Sequence, residues 1–305
     1  MPFDQLVEAH HRTTFKATFE LALQQNGSKL RPHVGETACS GEGATAADII
    51  GKVDYQRGSG RRRSNIENVP GRTRRWHVFP DPLETGQYLD SVDKFRMIED
   101  PTSKLMMAHT AAIGRGIDDI ILGINPDGTL YQGGILGPIS EGKQPGSGTK
   151  ALPSAQVTVH GGTGLTIEKL RKARKRLGLD ENDLDRVTPI MAITMNQDDD
   201  LLGIVESASA NLNMLEQPHI VDGKVTRLMG FQFVRINRLP KLQTNVRSCP
   251  VWIKDMVELG VWQDVKPDMW NDTHARNTPY MHADAWMDCV RIQDEGVHVA
   301  ECTES

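Results

Sequence analysis

Residues 93–125 read DKFRMIEDPTSKLMMAHTAAIGRGIDDIILGIN, and the spacing predicts one long amphipathic helix over 101–124. Asp100 stands where an N-cap belongs, with a side chain able to accept from an orphan backbone N–H. Pro101 follows at the first helical position, where its missing N–H costs nothing. Met106, Ile113, Ile117, Ile120 and Ile124 recur at helical spacing and form one apolar stripe. The rise per residue makes such a helix about 34 Å long. Gly114 and Gly116 weaken its middle by roughly 1 kcal/mol each relative to alanine, which marks a place for a bend. Asn125-Pro126-Asp127-Gly128 is a turn that ends it. A helix this long reads as a spine on which other parts hang.

Outward from the spine, the chain's 305 residues suffice for two modest domains or one elongated subunit of several parts. Apolar and charged contents are ordinary, which predicts real cores. A formal net charge of −5 argues against a dedicated nucleic-acid-binding protein, which carries a basic excess. The first residues, MPFDQLVEAHHRTTF, include Asp4 and Glu8 and no apolar run, so they do not read as a secretory signal. No window approaches the roughly eighteen apolar residues of a membrane span. Cys39, Cys249, Cys289 and Cys302 are scattered without a C-x-x-C pair, which predicts reduced thiols and argues against structural zinc.

Leu6, Ala9, Phe15, Phe19 and Leu23 predict a docking helix over 4–26, stopped at Gly27. Residues 35–60 are rich in Gly, Ala, Ser and Thr and have no periodic apolar face. From Lys52 to Arg75 the bases are Lys52, Arg57, Arg61, Arg62, Arg63, Arg72, Arg74 and Arg75, against only Asp54 and Glu67. Val69-Pro70-Gly71-Arg72 is a turn signal, with Ile66 and Val69 before it and Trp76 and Val78 after it. Residues 50–90 therefore read as a long, exposed hairpin. Its arginines and Trp76 suit phosphates and a stacked base, a protein interface, or simple solvation. A long loop without a core of its own needs something else to order it, and the acidic chain favours protein partners.

Beyond the spine, 126–163 reads as short strands joined by turns. Gly161-Gly162-Thr163-Gly164 before a helix at 166–177 invites a phosphate-loop reading, but no Gly-Lys-Ser/Thr follows, and Thr166 serves as an N-cap. The cations of that helix read as a solvated face. Residues 189–195 predict a buried strand. Asp198, Asp199 and Asp200 are the best candidate for a hydrolytic metal site. Adjacent residues diverge, however, and acids in a helix's first turn are the simpler reading. Residues 223–236 predict a strand pair with a bulge at Gly230. Residues 252–262 suit a short helix, and the C-terminal stretch predicts an antiparallel hairpin around 293–296.

This order of parts resembles the major capsid proteins of tailed double-stranded DNA bacteriophages, the Hong Kong phage capsid fold. The resemblance rests on Gly86-Gln87-Tyr88-Leu89-Asp90 through Asp93-Lys94-Phe95-Arg96 and Asp100-Pro101, and on the A-x-x-R-x-x-D-x-x-I body at 112–121. It rests also on 223–234 with Asn237-Arg238-Leu239-Pro240, on Cys249 to Trp252, and on Arg291-Ile292 to Cys302. The resemblance implies an α+β subunit. Its parts are an N-terminal arm (1–34), an extended loop (35–92), a peripheral domain with the spine helix (93–125), an axial domain (126–279) and closing peripheral strands (280–305).

The resemblance further implies a structural, non-enzymatic major capsid protein without cofactor, metal or catalytic residue. It would close into hexamers and pentamers of an icosahedral head shell around double-stranded DNA, held non-specifically. Portal and scaffolding or decoration proteins are the further partners implied, with assembly in the host bacterial cytoplasm and no membrane. Head-to-tail contacts make rings when the rotation closes. The expected interface residues are Arg61, Arg62, Arg63, Arg72, Arg74, Arg75 and Trp76, meeting neighbouring carboxylates such as Glu99, Asp118 and Asp119. The alternatives are an encapsulin-like compartment of the same fold, a metal-dependent hydrolase using 198–200, and a nucleic-acid-binding module using the arginines at 61–75.

Overall fold

A computed structural model describes residues 24–53, 55, 69–89, 102–209, 219–221 and 223–304. Within them the expected spine runs as α1, Thr102–Leu122. The Asp100–Pro101 cap, residues 4–23 of the helix expected over 4–26, Arg61, Arg62, Arg63 and Glu99 lie outside the described residues, and residues 24–26 are not helical. Ile113, Ile117, Ile121, Leu122 and Ile124 are buried, and Ile120 is half-buried. The stripe thus turns toward Ile121. The helix stops at Gly123, ahead of the 125–128 turn. Gly123 has φ +74°; its N–H donates to the Ile120 carbonyl at 3.0 Å, and the Ile124 N–H donates to the Asp119 carbonyl at 3.0 Å. That closure needs a left-handed residue, which glycine supplies without strain.

Gly114 and Gly116 admit neighbours. A Cβ on Gly114 would stand 2.7 Å from the Gly27 Cα, and one on Gly116 would stand 3.0 Å from Leu83 Cδ1. Through the gap at Gly114 the N-terminal segment crosses the helix and is caught by the buried Asp118 carboxylate. That carboxylate accepts from Gln25 Nε2 (2.5 Å), Ser28 Oγ (2.6 Å) and the N–H groups of Lys29 and Leu30 (both 3.0 Å).

Before α1 come β1 (Gly35–Ala38), β2 (Gly43–Ile50), β3 (Arg72–Val78) and β4 (Leu83–Tyr88). After it come β5 (Ile139–Glu141), β6 (Thr149–Lys150), β7 (Val157–Thr158), α2 (Ile167–Leu179), β8 (Ile190–Ile193), α3 (Met195–Ser209) and β9 (His219–Val221). The chain ends with β10 (Lys224–Leu228), β11 (Phe231–Arg235), β12 (Lys241–Gln243), β13 (Val246–Trp252), β14 (Val257–Asp272), β15 (Thr278–Arg291) and β16 (Val297–Thr303).

Three sheets result. The first, β1-β14-β15-β4, lies against α1. On β15, Met281, Ala283, Ala285, Met287 and Cys289 are all buried, a period-two pattern that puts one face of the strand inward, the last four of them in the core with the α1 isoleucines. The second sheet, β7-β16-β13-β8-β11-β10-β9 with β12 beside β13, carries α2 and α3. Its β8 and β11 are parallel, and α3 lies in the crossover between them, as parallel strands require. Thr166 caps α2, accepting from the Lys169 N–H. Asp198 stands in the first turn of α3 and is held by Arg235 at 2.7 Å, while Asp200 accepts from the Leu165 N–H at 2.7 Å. Two of the three adjacent acids thus hold the fold together. The third sheet, β2-β3-β5-β6, is the root of the long hairpin.

Four local expectations change. The hairpin's arms are 43–50 and 72–78, because Ile50 pairs with Arg72 and the Gly51 N–H donates to the Gly71 carbonyl at 2.7 Å. The Pro70-Gly71 turn signal therefore marks the start of the returning arm. Residues 252–262 form no helix: a three-residue 3-10 turn, Lys254–Met256, carries the chain from the second sheet to the first. The C-terminal strands form, but not as a hairpin. β15 pairs with β14 and β4, and β16 pairs with β13 and β7. The last strand thus lies in the second sheet, away from α1. Finally, Met229 (φ 53°) and Gly230 (φ 78°) form a two-residue turn with both residues left-handed, closing β10 on β11 without a bulge.

Asp118 satisfies four donors at once, so Asp118→Ala should unpin residues 24–30. Each hydrogen bond to the carboxylate contributes about 1.5–3 kcal/mol. The amides of Lys29 and Leu30 should then lose hydrogen-exchange protection while those at the centre of β13 keep theirs. Unchanged protection at 29–30 would contradict the role given to Asp118.

Candidate functional site

β3 sorts its side chains by parity. Arg75 and His77 are buried while Arg72 and Arg74 are exposed and Trp76 is half-exposed, because alternate residues of a strand face opposite sides. The inward pair fastens the hairpin to the rest of the chain. The outward set faces away from that fastening.

Arg75 meets Asp294. Its Nη2 lies 2.8 Å from Oδ2, and its Nη1 donates to the Arg291 carbonyl at 2.7 Å. Arg291 is wholly buried; its Nε lies 3.1 Å from Asp294 Oδ1, and its Nη1 donates to the carbonyls of Ile135 (2.8 Å) and Gly137 (2.6 Å). Lys150 Nζ adds a contact to Asp294 at 3.2 Å and one to Glu141 at 3.4 Å, and Glu141 stands 3.5 Å from Arg75 Nε. Burial pushes the Asp294 carboxyl up, but Arg75 and Arg291 outweigh it and hold it below the usual range. Burial also draws the Arg291 guanidinium below its ordinary value, against Asp294's pull.

His77 lies two residues further along. Its ring nitrogens stand 3.8 Å from Glu258 and 3.7 Å from Asp288, too far for hydrogen bonds, so the attraction is charge on charge. Trp262 stands edge-on to the ring at 6.4 Å. Cys39 and Gly260 close the pocket, where a Cβ on Gly260 would come within 2.9 Å of the imidazole. Burial alone would lower the histidine's pKa, but Asp288 and Glu258 prevail and raise it. Desolvation lifts the neighbouring Cys39 thiol to about 11.

On the outward face, Arg74 pairs with Asp48 across the hairpin, with Nη2 to Oδ2 at 2.6 Å, and its guanidinium lies 5.3 Å over the Trp76 ring. Trp76 Nε1 donates to the Gly142 carbonyl at 2.9 Å. Arg72, Asp48, Ile50 and Lys143 help line an open groove of ≈ 590 Å³. Ile50, Val53, Tyr55 and Val69 are exposed, Tyr55 by 84% and Val69 by 80%.

Of the expected interface residues, Arg72, Arg74 and Trp76 share this groove side of the hairpin. Arg75 does not: it is buried against its own chain. Asp118 and Asp119 are buried as well, Asp118 holding the N-terminal segment and Asp119 pairing with Arg238 Nε at 2.8 Å. Their oxygens serve contacts within the chain. Sequence reasoning missed Asp294, Arg291, His77, Glu258 and Asp288. One signal was available: an arginine closing the apolar run Cys289-Val290, three residues before an aspartate.

A helical spine against one sheet, a second sheet bearing two helices, and a long hairpin rooted on a third is the fold of phage capsid subunits. The chain is similar to one from the capsid of the cyanophage P-SCSP1u, with TM-score 0.68, 15% identity and coverage of 98% of this chain and 95% of that one. It is similar to one from Mycobacterium phage Adephagia, with TM-score 0.67, 13% identity and coverage of 99% and 98%. A chain from the capsid of Ralstonia phage GP4 gives TM-score 0.65, 10% identity and coverage of 97% and 96%. No curated protein sequence matches. The phage capsid protein family matches residues 7–304, and the chain belongs to that family. It is a structural component of a phage capsid, a major shell protein. These likenesses support neither the encapsulin-like compartment nor the hydrolase.

Asp294→Ala should leave two buried guanidiniums short of charge and cost about 3–5 kcal/mol, read as a lower urea midpoint. Arg75→Met with Asp294→Leu should recover part of that loss. Equal midpoints for wild type and Asp294→Ala would contradict the account.

The sign for His77 follows from its raised pKa. Its contribution is full below the unfolded value of about 6.5 and is lost as pH rises through the higher folded value. Between pH 5.5 and 9 the urea midpoint should fall on that account, and His77→Gln should remove the fall. A fall of the same size in His77→Gln would assign it to other groups.

Proposed function

We propose that this chain is the tile of an icosahedral phage head. It closes into hexamers and pentamers through its long hairpin, and the closed shell encloses double-stranded DNA without reading its sequence. Assembly takes place in the host bacterial cytoplasm. Portal and scaffolding or decoration proteins complete the particle, and the subunit performs no catalysis. Residues 1–34 act as the arm and 35–92 as the clasp over a neighbour. α1 with the first sheet forms the peripheral part, and the second sheet forms the axial part.

One observation carries this reading. The hairpin is fastened at its root by buried charges, yet toward its far end it leaves Ile50, Val53, Tyr55 and Val69 exposed. A single chain gains nothing from leaving four large apolar side chains in water near one end of a hairpin, and exposed apolar surface of this kind marks an interface. A second copy would cover it, and extended clasps of this kind bury areas of obligate size, above about 2,000 Å². Arg72 pairs with Ile50 and Trp76 lies further down the same face of the strand; both belong to types enriched in interface hot spots. The acidic balance of the chain lessens adhesion to packaged DNA.

The test is assembly. The expressed chain should form rings or closed particles in negative-stain images. Tyr55→Asp with Arg72→Glu should abolish them while the monomer's thermal unfolding stays within about 2 °C of wild type, since exposed substitutions cost little stability. Particles that form unchanged from that double variant would refute the clasp. A chain that stays monomeric at every concentration would refute the tile.

A further inference from the structure

Helix α2 carries a second surface that the shell reading leaves unused. Leu170, Ala173 and Leu177 face the core, and Lys169 is drawn inward, donating from Nζ to the carbonyls of Thr163 (2.6 Å) and Gly164 (2.7 Å). Arg171, Lys172, Arg174 and Lys175 remain exposed. They form one wall of a groove of ≈ 630 Å³ whose other lining includes Leu184 and Met229.

The groove is held in shape. Arg174 Nη1 donates to the Met229 carbonyl at 2.7 Å, pinning the left-handed turn of β10 and β11 against the helix. Gly230 suits the turn because its φ of 78° is one that other residues adopt only with strain. Leu184 and Met229 are half-buried and continuous with the main core, so the floor is fixed apolar surface.

The charge of the groove is unbalanced. Its single acid, Glu168, is engaged by Lys172 at 2.8 Å. Arg171 and Lys175, one helical turn apart, have no carboxylate within ion-pair distance among the described residues. A chain of net charge −5 thus gathers free cations around an apolar floor. An acidic segment is repelled by most of such a surface and steered to this part of it.

We propose that this groove docks an acidic peptide segment of a partner protein. Carboxylates of that segment lie on Arg171 and Lys175, and one large apolar side chain lies on Leu184 and Met229. Duplex nucleic acid fits the cations alone: phosphates make no use of an apolar floor, and covering it with a charged backbone strands both. The volume accommodates a few side chains, as in peptide and small-ligand sites. The hairpin comes near, its Lys52 pairing with Glu181 beyond the end of α2, but none of its described residues lines the groove, so the proposal stands whether or not the hairpin clasps a neighbour.

The experiment uses the full chain in about 150 mM salt and three fluorescein-labelled probes. The first is a twelve-residue peptide of glutamates with a central Leu-Phe pair, the second is the same peptide with Ser-Ser at the centre, and the third is a 20-base-pair DNA duplex. Fluorescence anisotropy should show binding of the first peptide, at least fivefold weaker binding of the second, and weaker binding still of the duplex. Arg171→Glu with Lys175→Glu should reduce binding of the first peptide at least tenfold, and Leu184→Ser at least threefold. The double charge reversal lies on exposed positions, so it tests the site even if Leu184→Ser disturbs the fold. Equal binding of both peptides, tighter binding of the duplex, or indifference to the charge reversal would overturn the proposal. So would loss of self-assembly in the charge-reversed variant without peptide binding by wild type, which would make the groove a contact between copies.

Discussion

The Asp294 carboxylate stands between two buried guanidiniums, and the arrangement of the three sheets depends on it. Arg75 comes from the root of the hairpin, and Arg291 from the end of the long strand packed on α1. Asp294 itself belongs to the short turn that carries the chain into the second sheet. One carboxylate therefore joins all three bodies. Burying charges costs several kcal/mol per ion, and mutual attraction offsets this only when every donor is placed. Here the placement is dense: Arg291 spends its remaining donors on the carbonyls that follow α1. The same geometry explains why the last two strands part company. Pinned at Asp294, the connection is held where it leads away from β15 and into the second sheet.

A second constraint is close backbone approach. α1 is a wall shared by the first sheet and the N-terminal segment, and it can be shared only where a side chain is missing. Gly114 lets the segment at Gly27 cross, and Gly116 makes room for Leu83. What reads in sequence as a weak place in a helix is a contact surface in the structure. Helix propensity is given up there, and burial of the neighbouring isoleucines, roughly 1.5–3 kcal/mol each, more than offsets it. Asp118 then fixes the position at which the segment crosses. Trp252 extends the same anchoring to the second sheet by donating its Nε1–H to the His33 carbonyl at 2.9 Å.

What was legible in the sequence was local. The isoleucine repeat placed α1 within two residues, Thr166 marked the start of α2, and the apolar run at 190–193 marked a buried strand. The order of these parts was enough to suggest the capsid fold. Pairings that close over long distances in the chain were not legible. Arg75 and Asp294 lie 219 positions apart, and no local pattern connects them. The misread segments share a cause. Trp252, Met256 and Leu259 have helical spacing only because a three-residue turn separates two strands whose inward residues fall in step. The small residues of β2 showed no apolar face because that strand is held by its backbone pairing with β3. Arg75, Asp118 and Asp119 were open to an intersubunit reading for a related reason: charge counted along a sequence does not reveal which groups are engaged within the chain, as these three are.

The parity of β3 changes what the basic hairpin means. Read as a run, Arg72, Arg74 and Arg75 form one block of positive charge suited to any anion. In the strand they divide. Arg75 is neutralised by Asp294 behind the sheet, and Arg74 by Asp48 beside it, so each has lost most of its long-range field before a partner arrives. Arg72 alone of the three has no carboxylate within ion-pair distance among the described residues, and it pairs with the exposed Ile50. Ion pairs at such a rim contribute little, because water and salt screen them. Burial of Ile50, Val53, Tyr55 and Val69 scales with area and is largely indifferent to salt. In the proposed clasp, attraction at this hairpin is therefore governed by its apolar surface, with the arginines fixing its shape and orientation, although charge is its most conspicuous feature in the sequence.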